Sequence, residues 1–226
     1  HLIKRDGAAK VVGEALDWAH SANPNALLIY NDFNIGPDMD KLVSDLITAD
    51  KPLGAIGLQS HMHQGEWTLE HTWEICEEFG RFGKPLHFTE LTVLSGEHGW
   101  EKKPWPTTPE GEAAQADYVE KFYTLLFSHP AVQAITWWDF MDGGWMGAPA
   151  GLVRADLSPK PAYNRLLHLI KEKWWTKTDL HTNSKGTCTT RAFYGDYNVI
   201  VETGKKKTKV DFTLSKSKNS LLIKIN

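Results

Sequence analysis

Residues 84–96, KPLHFTELTVLSG, put one carboxylate, Glu90, where an apolar run opened by Lys84-Pro85 meets a polar loop. Burying an unpaired charge is costly, so an acid at the carboxyl end of a buried strand points to a site that uses it. A glutamate that simply turns into solvent is the plainer alternative. Three other apolar runs end in similar chemistry: ALLIY leads to Asn31-Asp32, LGAIGLQS carries Gln59-Ser60 and meets His61, and AVQAITWW closes on Trp137-Trp138 with Asp139 next. His61 and His63 form an H-x-H pair, yet no acid or third histidine stands at ligand spacing, so metal catalysis is not expected. A Gly-rich phosphate fingerprint is absent, and no cofactor is implied.

The elements that must position these residues alternate along the chain. Residues 8–21 place Val11, Val12, Ala15, Leu16 and Ala19 on one helical face, and NPN ends that helix. MDKLVSDLITA, LEHTWEICEEFGRF, a long stretch from Pro109 to Ser128 and PAYNRLLHLIKEKWW read as further helices between the apolar runs. Thr108-Pro109-Glu110 is a strong helix start: a capping hydroxyl, proline at the first helical position and an acid at the positive end of the dipole. Apolar strands separated by amphipathic helices predict an α/β fold with parallel strands buried on both faces. Chemistry at the end of every strand suits a (β/α)₈ barrel better than an open doubly wound sheet, which gathers its ligands at one switch point. A barrel needs eight strands and four are visible, so the pattern reads as half a barrel.

Composition narrows the partners. The 226 residues are 41% apolar and 23% charged, as in a globular protein with a substantial core. A net charge of −3 and a pI near 6.4 give no broad positive field, so nucleic acid and anionic lipid are not expected partners. Ten tryptophans and six tyrosines supply flat amphipathic rings of the kind that pack against sugar C–H faces, although core packing would also use them. Cys76 and Cys188 have no disulfide or zinc spacing, and no run of about 18 apolar residues predicts a membrane span.

LLIYNDFNIG, AIGLQSHMH, PLHFTEL, AITWWDF and SPKPAY resemble, in order and spacing, the second half of the glycoside hydrolase family 10 catalytic barrel, over about residues 1–173. The best-known members of that family are endo-1,4-β-xylanases, so the resemblance implies xylan or xylo-oligosaccharide as substrate and a retaining double displacement. In that mechanism one carboxylate attacks the anomeric carbon and a second, about 5–5.5 Å away, protonates the leaving oxygen and later activates water. Glu90 matches the nucleophile, and His61 and Gln59 match positions that bond to this acid or to the sugar. Asn31 resembles the polar end of the family's fifth strand, with Phe33 where many members carry tyrosine. Trp138 and Trp145 resemble tryptophans that wall the glycone side of the cleft. Asp139 and MDGGWMG depart from the usual loop, and Thr92 replaces an acid that many members carry two residues after the nucleophile.

The family's acid/base glutamate lies in a WDVVNE-type segment at the end of the fourth strand, and the sequence has none. Strands one to four are expected to be missing, with Glu66, Asp32, Asp139 and Asp142 as the substitute acids to examine. Such a half would hydrolyse poorly, because positioned proton transfer contributes about 10²–10⁴-fold. It would also leave strand edges and an inner apolar face uncovered, so a second copy or a complementary barrel half is the expected partner. Xylan is extracellular, which implies secretion although no signal peptide is visible. Residues 174–226 read as a small all-β appendage of short alternating strands, expected to dock on the barrel helices, with Lys205-Lys206-Lys207 in a solvated hairpin. The competing reading is a non-catalytic carbohydrate-binding remnant in which Phe193, Tyr194 and Tyr197 help to hold polysaccharide.

Overall fold

The computed structural model describes residues 2–97 and 105–224. The chain divides into two compact units, one ending at Leu166 and the other starting at Leu167.

The first unit alternates helices with parallel strands: α1 (Leu2–Asp6), α2 (Ala8–Ala22), β1 (Ile29–Asp32), α3 (Pro37–Thr48), β2 (Ala55–Leu58), β3 (His61–Met62), α4 (Leu69–Gly80), β4 (Leu86–Val93), α5 (Pro109–Ser128), β5 (Val132–Trp137) and most of α6 (Pro161–His168), whose last two residues fall beyond the boundary. β1 pairs with β2, β2 with β4 and β4 with β5, all in parallel, while two-residue β3 pairs with the far end of β4. The expected strand at LGAIGLQS is thus interrupted: pairing stops at Leu58, Gln59-Ser60 break away, and His61-Met62 rejoin opposite Thr92-Val93.

Ile56, Leu58, Leu86 and Phe88 point to the covered face and are fully buried, and Phe88 meets Phe122 of α5 edge-to-face at 5.9 Å. Val119, Phe122 and Leu126 of α5, Cys76 and Phe79 of α4 and Val43 and Leu46 of α3 complete this core. The helices begin where capping chemistry puts them. Thr108 Oγ1 accepts the Gly111 N–H at 3.0 Å to start α5, and Thr68 Oγ1 accepts that of His71 at 3.1 Å to start α4.

Burial on both faces holds only for β2. β1 and β5, at the sheet edges among the described residues, alternate with solvent. The expectation of an apolar inner face is corrected as well. Asn31, His87, Thr89 and Gln133 lie there and bond to one another: Thr89 Oγ1 donates to Asn31 Oδ1 at 2.6 Å, and His87 Nε2 lies 2.9 Å from Gln133 Oε1. These polar pairs satisfy one another, so the face does not depend on an apolar cover. Among the described residues no helix is long and apolar enough to cross a membrane.

The second unit contains one antiparallel hairpin, β6 (Gly195–Thr203) and β7 (Lys206–Leu214), closed by the two-residue loop Gly204-Lys205. Gly204 has φ 59°, the left-handed conformation that two-residue hairpin turns require. Tyr197–Phe212 and Val199–Val210 pair across its half-buried face, while Lys207 and Glu202 pair on the exposed one at 2.5 Å. The set of short strands expected over the whole tail reduces to this ribbon, because the stretches around 187–193 and 221–224 have no strand partner among the described residues. The last expected helix also changes form, ending at His168 and continuing as a π-helical turn over Leu169–Lys173.

Candidate active site

Glu90 is the fifth residue of β4, and the strand is irregular there. Phe88 pairs with Ile135 and Leu91 with Trp137, so three steps along β4 match two along β5. This is a β-bulge, which re-aims side chains locally. Between fully buried Phe88 and Leu91 it leaves two consecutive half-buried residues, Thr89 and Glu90, where strict alternation would sink one of them into the core.

Both oxygens of the Glu90 carboxylate have partners. Oε1 accepts from Asn31 Nδ2 at 2.9 Å, and Oε2 lies 2.9 Å from His61 Nε2. The Glu90 side chain is 15% exposed, which leaves it shielded but reachable. Asn31 reaches it from β1 across the intervening strand β2. The residue opposite Asn31 on β2 is Gly57, and a Cβ there would stand 2.8 Å from Asn31 Oδ1 and 2.9 Å from Ile29 Cγ2. A glycine is what allows the amide to lie over β2.

His61 is oriented from behind. An ionised Glu90 can only accept, so His61 Nε2 must carry the proton, and in a neutral ring Nδ1 is then an acceptor. Thr92 Oγ1 lies 3.4 Å from that Nδ1 and 3.3 Å from His63 Nδ1, and it accepts the Met62 N–H at 3.1 Å. The hydroxyl has one proton and a second lone pair left for the two ring nitrogens beside it. Burial, with the nearby His61 second, pushes the His63 pKa down to about 4, so His63 is neutral at ordinary pH.

The tryptophans gather on the same histidines. The Trp145 ring lies 4.4 Å from His61, tilted by 36°, and 4.6 Å from His63, nearly perpendicular. Trp138 meets His61 edge-on at 5.7 Å and Trp145 at 6.4 Å, with 46% of its surface open. The Trp145 backbone N–H donates to Asp139, whose carboxyl is pushed up to about 6 by burial against the pull of that hydrogen bond, with Asp142 adding to the rise.

Asn31, His61, Glu90, Trp138 and Trp145 therefore converge. Gln59 does not join them through hydrogen bonds. Its backbone N–H donates to Asp32 O at 2.9 Å, and among the described residues its side chain makes no bond to Glu90. The substitute acids are engaged in their own loops: Asp32 accepts from Tyr30 Oη at 2.5 Å and from the Asn34 N–H at 2.9 Å, and Asp142 binds Lys160. Glu66 lies near Tyr118, whose hydroxyl pKa it helps to raise. Sequence reasoning missed the bulge, the role of Gly57 and the Thr92 hydroxyl. Adjacent polar residues inside HFTEL, and a glycine inside AIGL, were the available signals.

A family model described as Glycosyl hydrolase family 10 matches residues 3–169. The chain belongs to glycosyl hydrolase family 10. Among curated relatives, Endo-1,4-beta-xylanase B of Thermotoga neapolitana is 29% identical over 178 residues, 72% of this chain and 49% of that protein. Endo-1,4-beta-xylanase 1 of Arabidopsis thaliana is 27% identical over 218 residues, 92% of this chain and 21% of that protein. The chain thus spans half or less of the length of these two curated relatives. Anti-sigma-I factor RsgI6 of Acetivibrio thermocellus is 34% identical over 114 residues, half of this chain. In structure the chain resembles xylanase 10B from Thermotoga petrophila RKU-1, solved in complex with xylobiose, with TM-score 0.61 and 26% identity over 76% of this chain and 54% of that one. A thermostable mutant of Xyn10A from Cellvibrio japonicus, at 21% identity and TM-score 0.63, shares the fold over 74% of this chain and 56% of that one.

Proposed function

We propose that this chain is the nucleophile-bearing half of a retaining β-1,4-xylanase: the second half of a (β/α)₈ barrel, followed by a small β module. The observation that supports this most directly is the Glu90 carboxylate, held on one oxygen by Asn31 and on the other by His61, at a bulge on the open end of a parallel sheet. Partners on both oxygens fix the orientation of the carboxylate, the geometry a nucleophile needs. A Glu90 oxygen attacks the anomeric carbon, the glycosidic C–O bond breaks, and the leaving oxygen takes a proton from an acid outside this chain. Water then cleaves the glycosyl ester with retention. Trp145 and Trp138 wall the bound xylose and keep water from its reacting face.

The acid comes from a complementary barrel half that pairs with the exposed edges of β1 and β5. Xylan as the substrate supports an extracellular location. Hydrolysis of an aryl β-xylobioside with a good leaving group tests the reading, because such a substrate needs little proton donation. Turnover that drops at least about 10³-fold in Glu90→Ala supports it, and turnover unchanged by that substitution rejects it.

The exposed rings of Phe193 and Tyr194 in the tail favour a second reading, a family 10 half that binds sugar without cleaving it. Retention of xylotriose with no aryl xylobioside turnover, with or without a complementary half, would select that reading.

A further inference from the structure

Trp145 sits in a loop that has little stiffness of its own. Residues 143–147 read GGWMG, and Gly143, Met146 and Gly147 all have φ near +60 to +80°, a left-handed conformation that only glycine adopts freely. Such a segment loses much conformational entropy when ordered, so its order must be imposed from outside.

Lys160 does this from below. It has no exposed surface, an unusual state for a lysine. Its Nζ donates to Asp142 Oδ1 at 2.5 Å and to Ser95 Oγ at 2.7 Å, and Asp142 Oδ1 also accepts the Gly151 N–H at 2.9 Å. One carboxylate oxygen thus ties the two ends of the loop, Asp142 and Gly151, to an ammonium anchored just past the end of β4. A Cβ on Gly151 would stand 2.3 Å from Asp142 N, so the two limbs are in backbone contact. Inside the clamp the Gly143 N–H donates to Ala148 O at 2.8 Å and the Ala148 N–H to Trp145 O at 3.0 Å. Ala148 and Ala150 sink into a small cluster with Leu94 and Trp105. The tryptophan ring emerges from this frame onto His61.

A buried ion pair is weak evidence for stability, since desolvation offsets its attraction. We infer that the Lys160–Asp142 pair is a positioning device: by clamping the two ends of the glycine-rich loop it holds the Trp145 indole against His61 and so sets the site's affinity for the sugar that the indole faces. The sugar half of this statement rests on the proposed function; the positioning half does not.

Two readouts on Asp142→Asn/Lys160→Met separate the halves. The double substitution removes the pair without leaving one buried charge alone. The first readout is the ring-proton NMR resonances of His61, which Trp145 shifts by its ring current at 4.4 Å. In the variant they should move toward their positions in Trp145→Ala, and xylotriose should bind about tenfold more weakly, the scale of coupling within one network. A folded variant with unchanged His61 resonances overturns the inference. If the variant does not fold, indole N–H relaxation of Trp145 in the unaltered protein decides: an order parameter near 0.85 supports the clamp and one below about 0.6 refutes it. If the unaltered chain binds no xylotriose, the functional reading fails while the His61 resonances still judge the clamp.

Discussion

The amide of Asn31 reaches Glu90 across a whole intervening strand, with Nδ2 2.9 Å from Oε1, and it does so over the bare backbone of Gly57. Three parallel strands thus act on one carboxylate: β4 carries it, β1 supplies a donor, and β2 contributes the missing side chain that lets the two meet. His61, from the short strand beyond β2, holds the other oxygen.

Gly57→Ala should act as an indirect loss of Asn31. Its methyl would press on Asn31 Oδ1 and Cβ and on Ile29 Cγ2, so the Asn31 side chain must shift to make room. Aryl xylobioside turnover should fall about 10–100-fold in Gly57→Ala and in Asn31→Ala, and the double variant should be no worse than the poorer single. Additive losses would mean that the glycine serves something else.

Thr92→Val keeps shape and removes the hydroxyl. The buried Met62 N–H then loses its acceptor, costing about 1–3 kcal/mol, and among the described residues Glu90 is left as the one hydrogen-bonding partner that biases the His61 tautomer. Imidazole ¹⁵N shifts should show protonated Nε2 in the parent and a mixture in the variant. An unchanged tautomer would assign that control to Glu90 alone.

Two buried groups give stability opposite pH dependences. His63 has its pKa lowered from 6.5 to about 4, so the unfolded chain binds more protons in that window, and stability falls as pH drops through it. Asp139 has its pKa raised from 3.8 to about 6, so the folded chain binds more protons there, and its contribution falls as pH rises from about 4 to 6. Urea midpoints at pH 4.5, 5.5 and 7 should therefore show Asp139→Asn gaining on the parent as pH rises, and His63→Gln gaining as pH falls. Parallel curves for parent and variant would remove the assignment for that residue.

Packing and capping should separate by size. Phe122→Ala opens a cavity against Phe88 and should cost about 3–5 kcal/mol. Thr108→Ala frees the Gly111 N–H at an accessible helix end and should cost about 1 kcal/mol. Denaturant titration measures both, and comparable losses would show that the α5 start carries more than its cap.

The helix over 109–128 was legible because its start is chemical: hydroxyl, proline and acid in successive positions fix the first turn without help from the rest of the chain. The apolar runs marked the strands for a similar reason, since alternation with amphipathic helices leaves few architectures. The convergence of Asn31, His61, Glu90 and Trp138 followed from their shared place at or beside strand ends, whereas Trp145, in a loop past β5, was marked only by the family resemblance. The bulge did not, because pairing register depends on β5, whose partner residues Ile135 and Trp137 lie far along the chain from Phe88 and Leu91, and Phe-Thr-Glu-Leu looks the same in a regular strand. Gly57 was silent because its importance lies in what other strands pass over it. The polar inner face was misread since the run in β4 is apolar on average, while His87 and Thr89 interrupt it with period two. Gln59 was expected to bond to the acid or to the sugar; it makes no bond to Glu90 among the described residues and falls in the break between β2 and β3, where the backbone no longer aims side chains by strand alternation.

Covalent capture tests most directly whether Glu90 is the nucleophile. A 2-fluoro-xylobioside with an activated leaving group forms its glycosyl ester without a general acid and releases it slowly, so peptide mass spectrometry can locate the bond. The expected result is one xylobiosyl unit on the peptide containing Glu90, absent in Glu90→Gln. Label on any other residue, or none on a chain shown to bind xylotriose, would contradict it.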